Sequence, residues 1–264
     1  MHFHGLTALA GLLVGLVVGL TGVGGGALMT PVLVLLFGVA PHMAVGTDLL
    51  NASITKMFGT VVHARRHTVD WQVVRRLALG SLPGALLTLV WMGTTRSVPL
   101  KDSFITVAVG WALLITAAGM LLRARFQGVG RQLRLGQPQR FKRAQLLLTI
   151  LAGVTLGVLV TLTSIGAGAL GTVALVYLYP LRMDSNKLVG TDLAHAIPLA
   201  LVAGLGHLRI GNVVYALLLN LLLGSAPGVL LGSVISSRAP QAFLRVAIAL
   251  VLGAVAIRML VHTA

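Results

Sequence analysis

Apolar residues run along this chain in blocks, separated by short polar or glycine-rich stretches. The blocks lie at 6–20, 27–39, 44–62, 72–94 and 103–122, and again at 144–163, 169–179, 188–208, 214–236 and 243–261. A block of about 20 apolar residues in a helix rising about 1.5 Å per residue matches the hydrocarbon thickness of a bilayer. The pattern therefore predicts an all-α, polytopic integral membrane protein. No basic residue precedes the first block and no small-x-small cleavage site follows it, so it reads as a retained segment and not as a removed signal peptide.

The blocks fall into two sets of five, and the sequence repeats with them. Val45-Gly46-Thr47-Asp48-Leu49 recurs as Val189-Gly190-Thr191-Asp192-Leu193, an offset of 192 − 48 = 144. The same offset aligns Gly22 with Gly166, Gly24 with Gly168, His63 with His207, and Gly80-Ser81-Leu82-Pro83-Gly84 with Gly224-Ser225-Ala226-Pro227-Gly228. The expected organisation is a first transmembrane repeat at 1–122, a linker at 123–143 and a second repeat at 144–264. The linker carries Arg123, Arg125, Arg131, Arg134, Arg140, Lys142 and Arg143 among Gly128, Gly130, Gly136 and Pro138. It shows no apolar periodicity, and its charge assigns it to the cytoplasm.

In each repeat a glycine-rich break divides the first two blocks: Thr21-Gly22-Val23-Gly24-Gly25-Gly26 in one, Ser164-Ile165-Gly166-Ala167-Gly168-Ala169 in the other. The pieces that follow, 27–39 and 169–179, are short for an upright span. Paired short, interrupted segments at matching positions are the sequence mark of a transporter's binding site, because irregular backbone survives at membrane depth only where protein or a watery cavity satisfies it. If each broken pair makes two passes, the halves are inverted and Arg65, Arg66, Arg75, Arg76, the linker cations, Arg182, Lys187, Arg238 and Arg245 lie inside. Arg96, Lys101, Arg209 and Arg258 then lie outside. If each pair makes one pass, the halves are parallel and Arg182, Lys187, Arg238 and Arg245 move outside. The charge distribution favours inversion.

The net charge of +15 would point to nucleic acid in a soluble protein, but here the cations gather at the ends of apolar blocks, where the positive-inside bias accounts for them. Cysteine is absent, which removes disulfides and thiolate metal sites. Glutamate is absent too, and the five acids are Asp48, Asp70, Asp102, Asp184 and Asp192. Carboxylate chemistry therefore has few possible locations. No His-Glu-x-x-His, Gly-x-Ser-x-Gly or P-loop motif occurs, so neither an enzyme nor a resident cofactor is expected.

The backbone N–H groups of the glycine breaks can form an anion-binding nest, and each short helix that follows would aim its positive end into it. Thr21 with Gly22, Gly24, Gly25 and Gly26, and Thr163 and Ser164 with Gly166 and Gly168, are the candidate ligands. The plainer role for such glycines is close helix packing. Asp48 and Asp192 each precede a polar residue by three positions, Asn51 and His195, which puts each pair on one helix face behind Thr47 or Thr191. A Gly-Thr-Asp triplet also suits a helix start, where threonine or aspartate caps free amides. Lys56 is the lone lysine inside an apolar block, and its repeat partner is Ala200. An intramembrane cation needs water, a partner or an anion, so Lys56 serves either a substrate or Asp48 two turns away. His63 and His207 are expected near the interface. The His63/His67 pair lacks a third ligand, so no metal site is expected.

The twin order of apolar segment, glycine-rich break (Thr-Gly-Val-Gly-Gly-Gly-Ala-Leu), proline such as Pro31, Val-Gly-Thr-Asp-Leu and later Gly-Ser-x-Pro-Gly resembles the bacterial sulfite exporters of the TauE/SafE type, from Leu12 to Leu260. The resemblance implies secondary transport of small anions, often sulfite or organosulfonates, across the cytoplasmic membrane. It implies that the two breaks and the two Gly-Thr-Asp segments are substrate and gating elements. The second break is the weaker copy, with Ala169 for Gly25 and Leu170 for Gly26. The resulting expectation is alternating access around a midplane anion site, with Asp48 and Asp192 as coupling or gating groups and protons as a candidate coupling ion. A cation transporter that uses the two aspartates as ligands is the alternative.

Overall fold

The computed structural model describes residues 4–21, 26–65, 67–94, 102–235 and 241–261. They form ten helices with no strand among the described residues: α1 (His4–Thr21), α2 (Gly26–Leu35), α3 (Pro41–Arg65), α4 (Trp71–Thr94), α5 (Asp102–Gly136), α6 (Pro138–Thr163), α7 (Ala169–Leu178), α8 (Ser185–Ile210), α9 (Tyr215–Ile235) and α10 (Gln241–Val261). Six of these, α4, α5, α6, α8, α9 and α10, are long and apolar enough to cross a membrane. α3 matches them in length but carries Asp48, Asn51 and Lys56. The outward faces are apolar, with Leu13, Leu86, Leu87, Leu219, Leu223 and Val234 all more than half exposed. Hydrocarbon is the medium in which such a surface costs nothing.

Two glycine seams hold the periphery. α1 runs parallel to α9, with Gly11, Gly15 and Gly19 against Leu221, Ser225 and Val229; α6 runs parallel to α4, with Gly153 and Gly157 against Leu77 and Ser81. A Cβ on Gly15 would come within 2.6 Å of Ser225 O, and one on Gly157 within 2.3 Å of Ser81 O, so the backbones themselves are in contact. Small residues permit this approach, and without a hydrophobic driving force in lipid such packing is a main source of helix association. The seams also correct the repeat register. The α4 and α9 partners differ by 221 − 77 = 144, but the glycines facing them differ by 153 − 11 = 142. The offset of 144 therefore holds for the third and fourth helices of each half and not for the first.

The centre is the pair α3 and α8. Gly46 abuts Asn212, Gly204 abuts Leu50 and Gly190 abuts Thr68, so the two helices run antiparallel. Contacts at their ends fix which turns share a face. Arg182, after α7, pairs with Asp70 at 2.5 Å and donates to Gln72 Oε1 at 2.9 Å, bringing the 179–184 turn beside the 67–70 turn. His42, at the other end of α3, lies 2.6 Å from Asp102 at the start of α5.

The basic stretch 123–143, read as an aperiodic linker, is helical over nearly all its length. α5 continues through it to Gly136, and α6 begins at once with Pro138 in its first turn. Proline at that position forfeits no intrahelical hydrogen bond and presets φ for the helix. Gly130 lets α5 press against the carbonyl of Tyr177 at the end of α7, an approach a side chain would block.

Candidate functional site

α8 starts at Ser185, where Asp184 Oδ1 accepts from the Lys187 amide at 2.7 Å, and α3 starts at Pro41. The Gly-Thr-Asp triplets are thus not helix starts. They lie about two turns inside, and the residues capping the helices are others. Burial is consequently complete: Thr47, Asp48, Thr191, Asp192 and His195 are each 0–1% exposed, and Asn51 and Lys56 are 4% exposed.

The threonines and the residues three positions past the aspartates tie one half to the other. Thr47 Oγ1 accepts from the Val214 amide at 3.1 Å, and Thr191 Oγ1 from the Asp70 amide at 2.9 Å. Ser225 Oγ donates to Asn51 Oδ1 at 2.7 Å, and Ser81 Oγ stands 2.8 Å from His195 Nε2. Each pair maps onto the other by 144 with the halves exchanged: 47 to 191, 70 to 214, 51 to 195 and 81 to 225. Gly-Ser-x-Pro-Gly recurs because its serine bonds to the opposite half.

The second break turns sharply between α6 and α7. Ser164 ends α6 in the left-handed region at φ 60°, and its amide bonds to Val160 O at 2.8 Å. Gly166 and Gly168 follow at φ 118° and 144°, conformations that cost a side chain dearly and glycine little. The amides of Gly171 and Thr172 bond back to Gly166 O and Gly168 O, and the Ile165 amide to Thr163 Oγ1. The intervening amides of Gly166, Ala167, Gly168, Ala169 and Leu170 have no acceptor among the described residues. Four of these residues are buried and Leu170 is half-buried, and the amides from Gly168 onward are the free N–H groups that every helix start presents.

α3 of the first half closes on this break of the second. Asp48 Oδ2 accepts from Ser164 Oγ at 2.7 Å and from Thr30 Oγ1 of α2 at 2.9 Å, and Lys56 Nζ donates to Ala167 O at 2.8 Å. Among the described residues Lys56 makes no ion pair within 4 Å, yet it interacts electrostatically with Asp192 and with Asp48. Asp192 Oδ1 lies so near α7 that a Cβ on Gly171 would come within 2.1 Å of it. Among the described residues, both Asp192 oxygens, Asp48 Oδ1 and His195 Nδ1 have no hydrogen-bond partner. Buried polar atoms left this way are costly unless something else completes the site.

Asp48, Lys56, Ser164, Gly166, Gly168, Asp192 and His195 are thus gathered around one break. Thr163 lies just behind it, bonded to Leu159 O at 2.6 Å, and Gly26 of α2 abuts the Ser164 carbonyl. Thr21 closes α1 with a bond to Val17 O at 2.7 Å, while Gly22, Gly24 and Gly25 lie outside the described residues. Thr30 and Gly171 carried no sequence signal, since neither falls in a repeated motif. His207 lies in the last turn of α8. It is fully buried between α6, where Thr161 O lies 2.9 Å from its ring, and the start of α3 at Gly46. The His63 side chain lies outside the described residues. No cluster of three metal-ligating His, Cys, Asp or Glu side chains occurs among the described residues.

Comparison with known proteins agrees with this architecture. A probable membrane transporter protein, YjnA, of Bacillus subtilis (strain 168) is 44% identical over 256 residues, covering 93% of this chain and 96% of that protein. YdhB, another probable membrane transporter protein of the same organism, is 28% identical over 240 residues, covering 89% and 91% of the two chains. A probable membrane transporter protein of Xylella fastidiosa (strain Temecula1 / ATCC 700964) is 27% identical over 230 residues, covering 87% and 83%. No solved structure matches the chain. The family model described as Sulfite exporter TauE/SafE matches residues 7–259, so the chain belongs to that family of multi-pass membrane transporters.

Proposed function

We propose that this protein is a secondary transporter of a small anion, a sulfur oxyanion such as sulfite or an organosulfonate, across the bacterial cytoplasmic membrane. The observation that carries the reading is the run of five amides at 166–170, four of them on buried residues, that have no acceptor among the described residues, beside Lys56 and at the positive end of α7. Consecutive amides at a helix N-terminus select anions, and a desolvated ammonium strengthens the selection. Ser164 adjoins the same amides, and His195 lies one turn from Asp192 and interacts electrostatically with Lys56. Thr21, Gly22, Gly24, Gly25 and Gly26 would supply the matching surface from the first half, with Thr47, Asn51, Thr163 and Thr191 behind them.

In this reading the halves are inverted repeats, and transport is alternating access about the α3/α8 axis. The antiparallel run of these two helices supports inversion, and so does the pairing of Arg182 with Asp70, which the parallel arrangement would place at opposite faces. Asp48 and Asp192 are the coupling or gating groups, with protons as the coupling ion. Short bonds between halves, such as Asn51 with Ser225, are the contacts a rocking motion would exchange.

The test is flux of sulfite, thiosulfate, sulfoacetate and sulfate in proteoliposomes, with and without a proton gradient. Saturable flux of one of these, lost in Lys56→Ala, is the expected result. No anion flux alongside flux of a divalent cation would overturn the reading and make the two aspartates cation ligands.

A further inference from the structure

The two aspartates occupy matching places in the sequence but not in chemistry. Asp48 has one oxygen doubly bonded by hydroxyls, from Thr30 of α2 and Ser164 of the opposite break, so it ties α2, α3 and the break together. Asp192 has neither oxygen hydrogen-bonded among the described residues, is 1% exposed, and rests on the first turn of α7 at Gly171. That turn begins where the orphan amides of Ala169 and Leu170 lie. A carboxylate on a helix N-terminus is itself the kind of anion such a terminus attracts.

Resting on the anion reading above, we infer that Asp192, and not Asp48, couples substrate to a proton. Its carboxylate and the substrate compete for the N-terminus of α7, and the substrate enters when Asp192 takes up a proton. The ionisable groups of the cluster are Lys56 and Asp48 on α3 and His195 on α8 itself. From α4 the neighbour is Ser81, and neither 149–163 of α6 nor 169–176 of α7 contains an ionisable residue. One ammonium among two carboxylates leaves the cluster with a net negative charge, which repels an anion. Protonation forms one O–H bond on Asp192, with the proton drawn from the aqueous side. This removes the competing charge and converts an acceptor into a donor facing the anion. Release reverses the step, the O–H ionises, and one proton leaves with each anion.

His195 continues the asymmetry. Its repeat partner is Asn51, whose oxygen is held by Ser225, whereas His195 Nδ1 has no hydrogen-bond partner among the described residues and His195 shares a helix face with Asp192. A ring nitrogen one turn from the carboxylate is placed to pass the proton on, a function that an amide at the Asn51 position cannot perform.

The experiment is calorimetric binding of thiosulfate, which keeps its charge across the mildly acidic to mildly alkaline range. It uses the full-length protein in buffers of different ionisation enthalpy, so that protons taken up per anion are counted. The wild type is expected to take up about one proton per anion, with affinity strengthening up to about tenfold per unit fall in pH. Asp192→Asn is expected to bind with no proton uptake and no pH dependence, and Asp48→Asn to keep the uptake. Gly171→Ala, whose methyl displaces the carboxylate, is expected to lower the uptake without touching an ionisable group, and it stands in if Asp192→Asn does not fold. Wild-type uptake persisting in Asp192→Asn or Gly171→Ala overturns the inference, as does wild-type binding without any uptake. If the wild type binds none of thiosulfate, sulfoacetate and sulfate, the anion reading fails first and takes this inference with it.

Discussion

The Ser225 hydroxyl donates to the Asn51 side-chain oxygen at 2.7 Å, joining α9 of the second half to α3 of the first. The pair Ser81 and His195, 2.8 Å apart, makes the reciprocal link from α4 to α8. All four side chains are at most 4% exposed, so neither link is replaced by water when one partner is removed. Ser225→Ala leaves Asn51 Oδ1 an unsatisfied buried acceptor and is expected to cost about 1–3 kcal/mol. The measurement is thermal unfolding in detergent, followed by tryptophan fluorescence. Ser81→Ala should cost a similar amount, since it leaves the His195 ring with both nitrogens unpartnered. An unchanged melting temperature for both would mean that these bonds do not hold the halves together.

The glycine seams make a sharper stability prediction, because identical substitutions should differ in sign with position. Gly15→Ala places a methyl 2.6 Å from Ser225 O, and separating α1 from α9 to accommodate it should cost about 1–3 kcal/mol. Gly253→Ala, in α10, meets nothing within 4 Å and should be neutral or stabilising by up to about 1 kcal/mol through helix propensity alone. Equal effects of the two substitutions on thermal unfolding would show that the seam is not close-packed.

The span pattern was legible because lipid imposes a single rule: ten apolar blocks predicted ten helices. The repeat was legible where residues bond across it, as at Thr47, Thr191, Ser81 and Ser225. What the sequence concealed followed from three-dimensional pairing. Asp48 and Asp192 look equivalent in Val-Gly-Thr-Asp-Leu, but Thr30 and Ser164 donate to one of them and no donor among the described residues bonds the other. The i, i+4 glycines at 11, 15 and 19 were a readable packing signal, and their different offset showed only when they met α9. The helical course of 123–136 was hidden because arginines and glycines break the apolar periodicity without breaking the backbone hydrogen bonds.

Orientation is testable because the chain contains no cysteine. Arg182 bonds Gln72, so single cysteines at these two positions should react with an impermeant maleimide from the same side of the membrane. A cysteine in place of His42, at the opposite end of α3, should react from the other side. The positive-inside bias assigns the Arg182 side to the cytoplasm. Labelling of positions 72 and 182 from opposite sides would exclude inverted halves.

Lys56 distinguishes an anion ligand from a counter-charge. Lys56→Met removes the bond to Ala167 O and the one cation of the cluster, in a side chain of similar length. Two unit charges about 5 Å apart at an effective dielectric near 20 interact by about 3 kcal/mol, so anion transport should fall on the order of a hundredfold in kcat/KM. If Lys56 only neutralises the carboxylates, removing one of them as well restores balance, and Lys56→Met with Asp48→Asn, which spares the coupling group Asp192, should recover flux. If Lys56 binds the anion, the double variant stays as poor as Lys56→Met alone, because no compensating cation exists at Ala200 in the other half. The second outcome is expected, with both variants checked for an unaltered melting temperature. Recovery in the double variant would leave the break amides as the sole basis of anion selection.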